Sequence, residues 1–210
     1  MKQQMKFYGI GGIAAVGLFL SSCESDSGKA STEKPSTDKG EHEEFLARAD
    51  EASGLLMKRL GTQLKSALKA GGPESALQVC QQVGQPLTDA TNQELGGVTV
   101  TRTALKVRNP KNEPNESDRK VMEAWLQKNE DGSMLLKSEV VQGPKGGTVV
   151  YKPILTQQVC LKCHGDPATF SPELKASLNQ LYPNDQATGF TEGSLRGVFK
   201  ITFPPNKPTK

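Results

Sequence analysis

Apolar residues recur every three or four positions over the first part of the folded chain. Between Phe45 and Leu68 they keep the spacing of one helix face, and Gly71-Gly72-Pro73 supplies a helix stop followed at once by a helix start. A second apolar series continues to about Thr88 and consists of Ala76, Leu77, Val79, Cys80 and Val83. The pattern predicts two amphipathic helices that form an antiparallel pair.

Period-two alternation replaces the helical spacing after Gly96-Gly97. A helix over Ser117–Lys128, with Ser117 as its N-cap, and a short helix over Ser171–Leu181 interrupt the strands. The glycine-rich segment Gly143–Gly147 joins the two middle strands as a hairpin. The predicted strands are residues 98–107, 136–141, 148–155 and 195–203. This order predicts an α+β fold in which an antiparallel sheet follows an N-terminal helical pair.

The first 22 residues have the pattern of an export signal. Met1–Lys6 is positively charged, and the apolar stretch Phe7–Leu20 is too short to span a bilayer comfortably. Leu20-Ser21-Ser22-Cys23 resembles the bacterial lipobox, in which small residues precede a cysteine that receives a diacylglycerol group. We therefore predict a signal peptide over residues 1–22 and a lipid anchor on Cys23. An ordinary signal peptide with an incidental cysteine is the alternative.

The segment after Cys23 is almost free of apolar residues and is rich in Ser, Thr, Lys and Glu. It predicts a flexible tether over residues 23–44 that carries one folded domain, residues 45–210. The expected location is the membrane surface facing the periplasm or the cell exterior, and Glu24 favours the outer membrane because it is not the aspartate associated with inner-membrane retention. The net charge of +3 argues against a nucleic-acid-binding face.

The strongest chemical signal is the motif Cys160-Leu161-Lys162-Cys163-His164. Two residues between the cysteines let both thiols reach the two vinyl groups on one side of a porphyrin, and the adjacent histidine can then ligate the iron. The motif predicts one covalently bound c-type haem with His164 as an axial ligand. A thioredoxin-type disulfide needs no following histidine, and a zinc site needs four ligands, for which the chain offers only remote partners.

The second axial position of the iron has several candidates. Cys80 is the cysteine that remains once Cys23, Cys160 and Cys163 are assigned, and it lies on the apolar face of a predicted helix. From the residues alone, an iron ligand and a small buried hydrophobe are equally good interpretations of this thiol. The weaker candidates are Met57, Met122, Met134, a lysine and His42, which lies in the tether. Water or a gas in place of a protein ligand is a further alternative.

Several motifs together resemble a family of domains of unknown function: small PAS-like c-type haem proteins with His/Cys axial ligation. Members occur alone or as extracytoplasmic sensor regions of signalling proteins. The resemblance rests on Val79-Cys80, Arg102–Pro110, Tyr151–Ile154, Cys160–Gly165, Tyr182–Phe190 and Gly193–Gly197. It implies a PAS-like sheet, and it implies that Cys80 is the ligand opposite His164. A thiolate ligand is expected to lower the reduction potential of the iron relative to a methionine ligand.

Two arginines are candidates for the haem propionates. Arg102 and Arg108 flank a predicted turn, and a guanidinium can form a bidentate pair with a carboxylate. A solvated strand or a structural turn is the alternative. Asp185 and Arg196 are expected to pair and so to fix the loop after the haem motif.

The sequence supports three hypotheses for the role of this protein. The first is a redox- or gas-responsive sensor that passes a change at the iron to a signalling partner. The second is a one-haem electron carrier serving a redox partner. The third is a weak peroxidase-like enzyme. Peroxide cleavage is usually helped by a distal acid-base group, and the spare histidine, His42, lies in the tether, so we do not expect an enzyme.

Overall fold

A computed structural model describes residues 37–128 and 136–205. The predicted signal peptide, Cys23 and Met134 lie outside the described residues. Short 3-10 turns precede or connect several of the regular elements. In chain order those elements are α1 (Thr37–Glu94), β1 (Thr99–Thr103), α2 (Glu116–Lys128), β2 (Glu139–Gln142), β3 (Thr148–Leu155), α3 (Leu161–His164), α4 (Pro172–Leu181) and β4 (Leu195–Phe203).

Helix α1 consists of two arms, residues 37–70 and 73–94, separated by a break at Gly71 and Gly72. Gly72 has φ of 70°, a backbone conformation that favours glycine. The arms fold back on each other, because Arg59 of the first arm contacts Glu94 near the end of the second at 2.6 Å. The predicted helical pair and its glycine break are confirmed. Within the two described ranges, no helix is long and apolar enough to cross a membrane.

The first arm begins earlier than the sequence predicts. Residues 37–44, which the polar composition assigns to the flexible tether, are helical and solvent-exposed wherever their exposure is described. Glutamate is a good helix former, and Glu44 pairs with Arg48 one turn later at 3.5 Å. A polar composition therefore did not exclude a helix at this boundary, because the helix is anchored by the apolar residues that follow it.

The sheet has four strands in the order β1-β4-β3-β2, and all neighbours are antiparallel. The hairpin between β2 and β3 and the last strand are confirmed. β1 is shorter than predicted because the chain turns at Ala104, whose amide donates to the carbonyl of Asn112. Residues 136–138 lie before β2 rather than within it.

Helices cover both faces of the sheet. The first arm of α1 packs Ala49, Ala52 and Leu56 against one face, and α2 packs Met122 and Trp125 against the other. Alternate residues of β3 and β4 supply the two faces, as the period of a strand requires. On the α1 face they are Val150, Phe199, Ile201 and Phe203, and on the α2 face Val149, Tyr151 and Val198.

The N-cap of α2 differs from the prediction. Asn115, not Ser117, accepts a hydrogen bond from the amide of Asp118, at 2.9 Å. The carboxylate of Asp118 in turn accepts the amide of Asn115 at 3.2 Å, so the two side chains satisfy each other's backbone amides. Serine is also a good capping residue by type. Only the reciprocal hydrogen bonds of Asn115 and Asp118 distinguish a helix capped at Asn115 from one capped at Ser117.

Candidate functional site

A cavity of about 890 Å³ brings together all six residues of the folded domain that the sequence selects as site residues. Both arms of α1, the ends of β1, β3 and β4 and the segment around α3 line it. Met57 also lines the cavity, whereas Met122, which belongs to α2, is fully buried in the core. The six selected residues are Cys80, Arg102, Arg108, Cys160, Cys163 and His164.

The cysteine motif forms a tight helical turn. A 3-10 turn over Gln158–Cys160 continues directly into α3, and the amide of Gly165 closes the turn by donating to the carbonyl of Leu161 at 3.0 Å. A Cβ atom on Gly165 would lie 2.6 Å from that carbonyl oxygen, so only glycine fits after His164. Cys160 and Cys163 are half-buried free thiols.

His164 is held in one tautomer by the backbone. Its Nδ1 lies 2.7 Å from the carbonyl oxygen of Ala187, and because a carbonyl can only accept, Nδ1 carries the proton. Burial lowers the pKa of His164 well below its usual value, and the nearby guanidinium groups of Arg108 and Arg196 lower it further. The side chain is therefore a neutral imidazole with an unprotonated Nε2, the form that ligates a metal.

The loop after α4 fastens onto the cysteine motif through backbone hydrogen bonds. The amide of Gly189 donates to the carbonyl of Gly165 at 2.7 Å, and that of Phe190 donates to the carbonyl of His164 at 2.9 Å. The ring of Phe190 meets the imidazole edge to face, with centroids 6.3 Å apart. The sequence pointed to this loop only through the motif Tyr182–Phe190, and the role of its backbone was missed.

Arg108 is engaged by the protein itself. Its Nη2 lies 2.9 Å from the carboxylate of Asp185 and 2.6 Å from the carbonyl of Cys163. The expected pair of Asp185 with Arg196 is therefore wrong, because Arg196 instead donates to the carbonyl of Lys106 at 3.1 Å. A propionate contact for Arg108 stays a prediction, and two of its three guanidinium nitrogens already have protein partners.

Cys80 lies on the second arm of α1 and is exposed within the cavity wall. The interpretation of Cys80 as a small buried hydrophobe is therefore wrong. Partial burial raises the pKa of the thiol, while Arg102 and Arg108 act in the opposite direction because their positive charges favour the thiolate. Arg102, whose own pKa is lowered by burial, also donates to the carbonyl of Gly84 on the same arm at 3.4 Å.

Most of the accessible surface that lines the cavity is apolar, and charged side chains such as Lys58, Lys152 and Arg196 also contribute to it. Met57, Leu155 and Val159 are 47%, 40% and 37% exposed, and all three line it. Cavities of ~300–1,000 Å³ with apolar walls and a few convergent polar groups are typical of cofactor and ligand sites. Paired thiols, one imidazole and a further thiol in such a cavity match the donor set that a c-type haem requires.

The fold and the site define a class: an α+β domain whose cysteine pair and histidine share an apolar cavity with a third thiol. The chain belongs to the Tll0287-like family, whose model matches residues 30–204. Among solved structures, the crystal structure of the cyanobacterial heme-protein Tll0287 is similar in fold, with a TM-score of 0.53 and 22% sequence identity. The match covers 82% of this chain and 99% of that one. No curated protein matches the chain.

Proposed function

We propose that this protein binds one c-type haem, attached through Cys160 and Cys163 and ligated by His164 and Cys80. The observation that carries the proposal is the single cavity that all four side chains line. The description of its structural relative as a heme protein supports the same assignment. The sheet with a long helix across one face is compatible with the PAS-like architecture that we infer for residues 45–210.

A haem held in this cavity by these residues would supply a one-electron redox centre. The chain's own residues would then set its properties. The carbonyl of Ala187 keeps Nε2 of His164 available, and the cationic side chains of Arg102 and Arg108 partly offset the burial that raises the pKa of Cys80. A thiolate ligand donates electron density and disfavours the ferrous state, so we expect a low reduction potential.

The first test concerns attachment. Replacing both Cys160 and Cys163 with alanine should abolish covalent haem, because no thiol of the motif remains to form a thioether. Mass spectrometry of the denatured protein should find one haem per chain in the wild type and none in the double variant. The matched control is Cys80→Ala, which should keep its covalent haem. A wild-type mass that includes no haem would contradict the assignment.

We propose that the biological role is redox or gas sensing. Cys80 lies beyond the break at Gly71 and Gly72, on an arm distinct from the one whose Ala49, Ala52 and Leu56 pack on the face of the sheet. Gain or loss of the Cys80 bond would therefore act on one arm, which a signalling partner could detect. The proposal includes no catalytic activity.

Binding of carbon monoxide to the reduced protein distinguishes a sensor from a simple electron carrier. A sensor should lose its Cys80 bond on reduction and then bind the gas, which optical spectra of the reduced protein would report. A reduced protein that keeps its thiolate and excludes carbon monoxide would instead favour the one-haem electron carrier. The exposed side chains of Leu155 and Val159 at the cavity are the observation in favour of that second role, because they leave a route for electron exchange.

The location follows from the predicted anchor. We propose that the protein is exported and is held through lipid on Cys23 at a membrane facing the periplasm or cell exterior. Mass spectrometry of the N-terminal peptide should find an acylated Cys23. An unmodified N-terminus at another residue would exclude the anchor.

A further inference from the structure

The carbonyl oxygen of Ala187 accepts two hydrogen bonds, and only one of them comes from His164. The second donor is Nη2 of Arg108, at 3.3 Å. Asp185 completes the arrangement: its Oδ2 pairs with Arg108, while its Oδ1 accepts the amide of Ala187 at 2.8 Å. A single ion pair thus binds both the backbone amide and the carbonyl of Ala187.

The same ion pair also holds the cysteine motif. Arg108 donates to the carbonyl of Cys163 at 2.6 Å, directly before the histidine in the chain. The side chains of Arg108 and Asp185 are 10% and 9% exposed, so water competes little for their hydrogen bonds. The position of the imidazole is set by the backbone next to His164 and by the carbonyl that accepts from its Nδ1. Both therefore depend on one buried ion pair.

The pair also affects the electronic character of His164. A carbonyl that already accepts from a guanidinium is a weaker acceptor for the Nδ1 proton, so the imidazole keeps less imidazolate character. The charges of Arg108 and Asp185 cancel, so the pair adds no net charge next to His164. Either charge alone would act on an iron centre through a low-dielectric interior.

We propose that Arg108 and Asp185 are a positioning pair that orients His164 and balances the reduction potential of the haem. This inference rests on the proposed function, and it assigns to Arg108 a task other than binding a propionate. Removing the charge of Arg108 and removing the charge of Asp185 should therefore have opposite effects on the reduction potential.

The test uses the haem-loaded full-length protein at pH 8. Asp185→Asn leaves the guanidinium uncompensated and should raise the ferrous-to-ferric ratio at a fixed ambient potential by about tenfold, or ~59 mV. Arg108→Gln leaves the carboxylate uncompensated and frees Ala187 to accept more strongly from His164. That ratio should then fall by about tenfold. The double variant should return close to the wild-type value.

A remote ion pair of the same chemistry provides the control. Arg59 and Glu94 lie 2.6 Å apart on the two arms of α1, and neither lines the cavity. Arg59→Gln and Glu94→Gln should leave the potential unchanged. The chemical shift of the His164 Nδ1 proton in the ferrous protein should move in Arg108→Gln and stay constant in both controls.

A further variant covers the case in which Arg108→Gln does not fold. Arg108→Lys keeps the charge but lacks the fork of donors, so it should keep the potential and still move the Nδ1 proton signal. Single variants that carry haem but shift the potential in the same direction, or not at all, would overturn the pair's role. Absence of covalent haem from the wild type would instead overturn the proposed function, so the two failures are distinguishable.

Discussion

Replacing Cys80 with alanine should remove the thiolate signature from the iron and raise its reduction potential. Alanine has no donor atom, and loss of the electron-rich sulfur favours the ferrous state. We expect a rise on the order of 100 mV, which is a fraction of the ~0.8 V that axial ligands span. Optical and EPR spectra in both oxidation states, together with a redox titration, would measure the change. Covalent haem content should be unaffected.

The control for this experiment is Met57→Leu. Met57 lines the same cavity and is the other described residue there that the sequence named as a sulfur ligand. Leucine keeps its apolar character, so the spectra should not change if Cys80 is the ligand. Unchanged spectra in Cys80→Ala together with altered spectra in Met57→Leu would reverse the assignment.

Replacing Asp118 with alanine should cost about 3–5 kcal/mol of the free energy of unfolding. The carboxylate is nearly buried and accepts from the hydroxyl of Tyr151 at 2.6 Å and from the ammonium of Lys200 at 2.7 Å. Burial and the Asp118 carboxylate raise the pKa of Tyr151, so the hydroxyl stays protonated and donates. Removal of the carboxylate would leave a buried hydroxyl and a half-buried cation without a partner. Urea denaturation followed by circular dichroism would measure the loss.

Glu116 is the matched control, because it is an acidic residue in the same first turn of α2. Its pair with Lys120 is exposed on both sides, and such pairs contribute ~0–1 kcal/mol. Glu116→Ala should therefore lower the free energy of unfolding by less than about 1 kcal/mol. Similar losses in the two variants would show that the buried cluster around Asp118 is not what stabilises the packing of α2 on the sheet.

Much of the fold was predictable because its signals are local. The alternation in residues 148–155 and 195–203 identified β3 and β4, and Gly71-Gly72-Pro73 located the break in α1. Several boundaries differ from the prediction, including those of β1 and β2, because the spacing of apolar residues does not mark them. The start at Thr37 precedes the apolar face, and the N-cap of α2 is decided by a reciprocal pair of side chains.

The site was predictable in part. The attachment motif is contiguous, so Cys160, Cys163 and His164 could be named together, and Cys80 followed from the resemblance and from its position among four cysteines. The partner of His164 was not predictable, because it is the backbone carbonyl of Ala187 and alanine carries no chemical signal. The pairing of Asp185 was mistaken because two arginines were available and only the fold decides between them.

The second arm of α1, which carries Cys80, is held at both ends and also beside Cys80, where Leu77 packs against α4 and the carbonyl of Gly84 accepts from Arg102. Near its start, Glu74 accepts the hydroxyl of Ser171, the N-cap of α4, at 2.8 Å, and near its end Glu94 is held by Arg59. Gain or loss of the Cys80 bond would therefore act on a segment held on both sides rather than on a free end of the helix. The arm would respond by a small displacement shared by many residues, and not by rotating away from the domain as a rigid body.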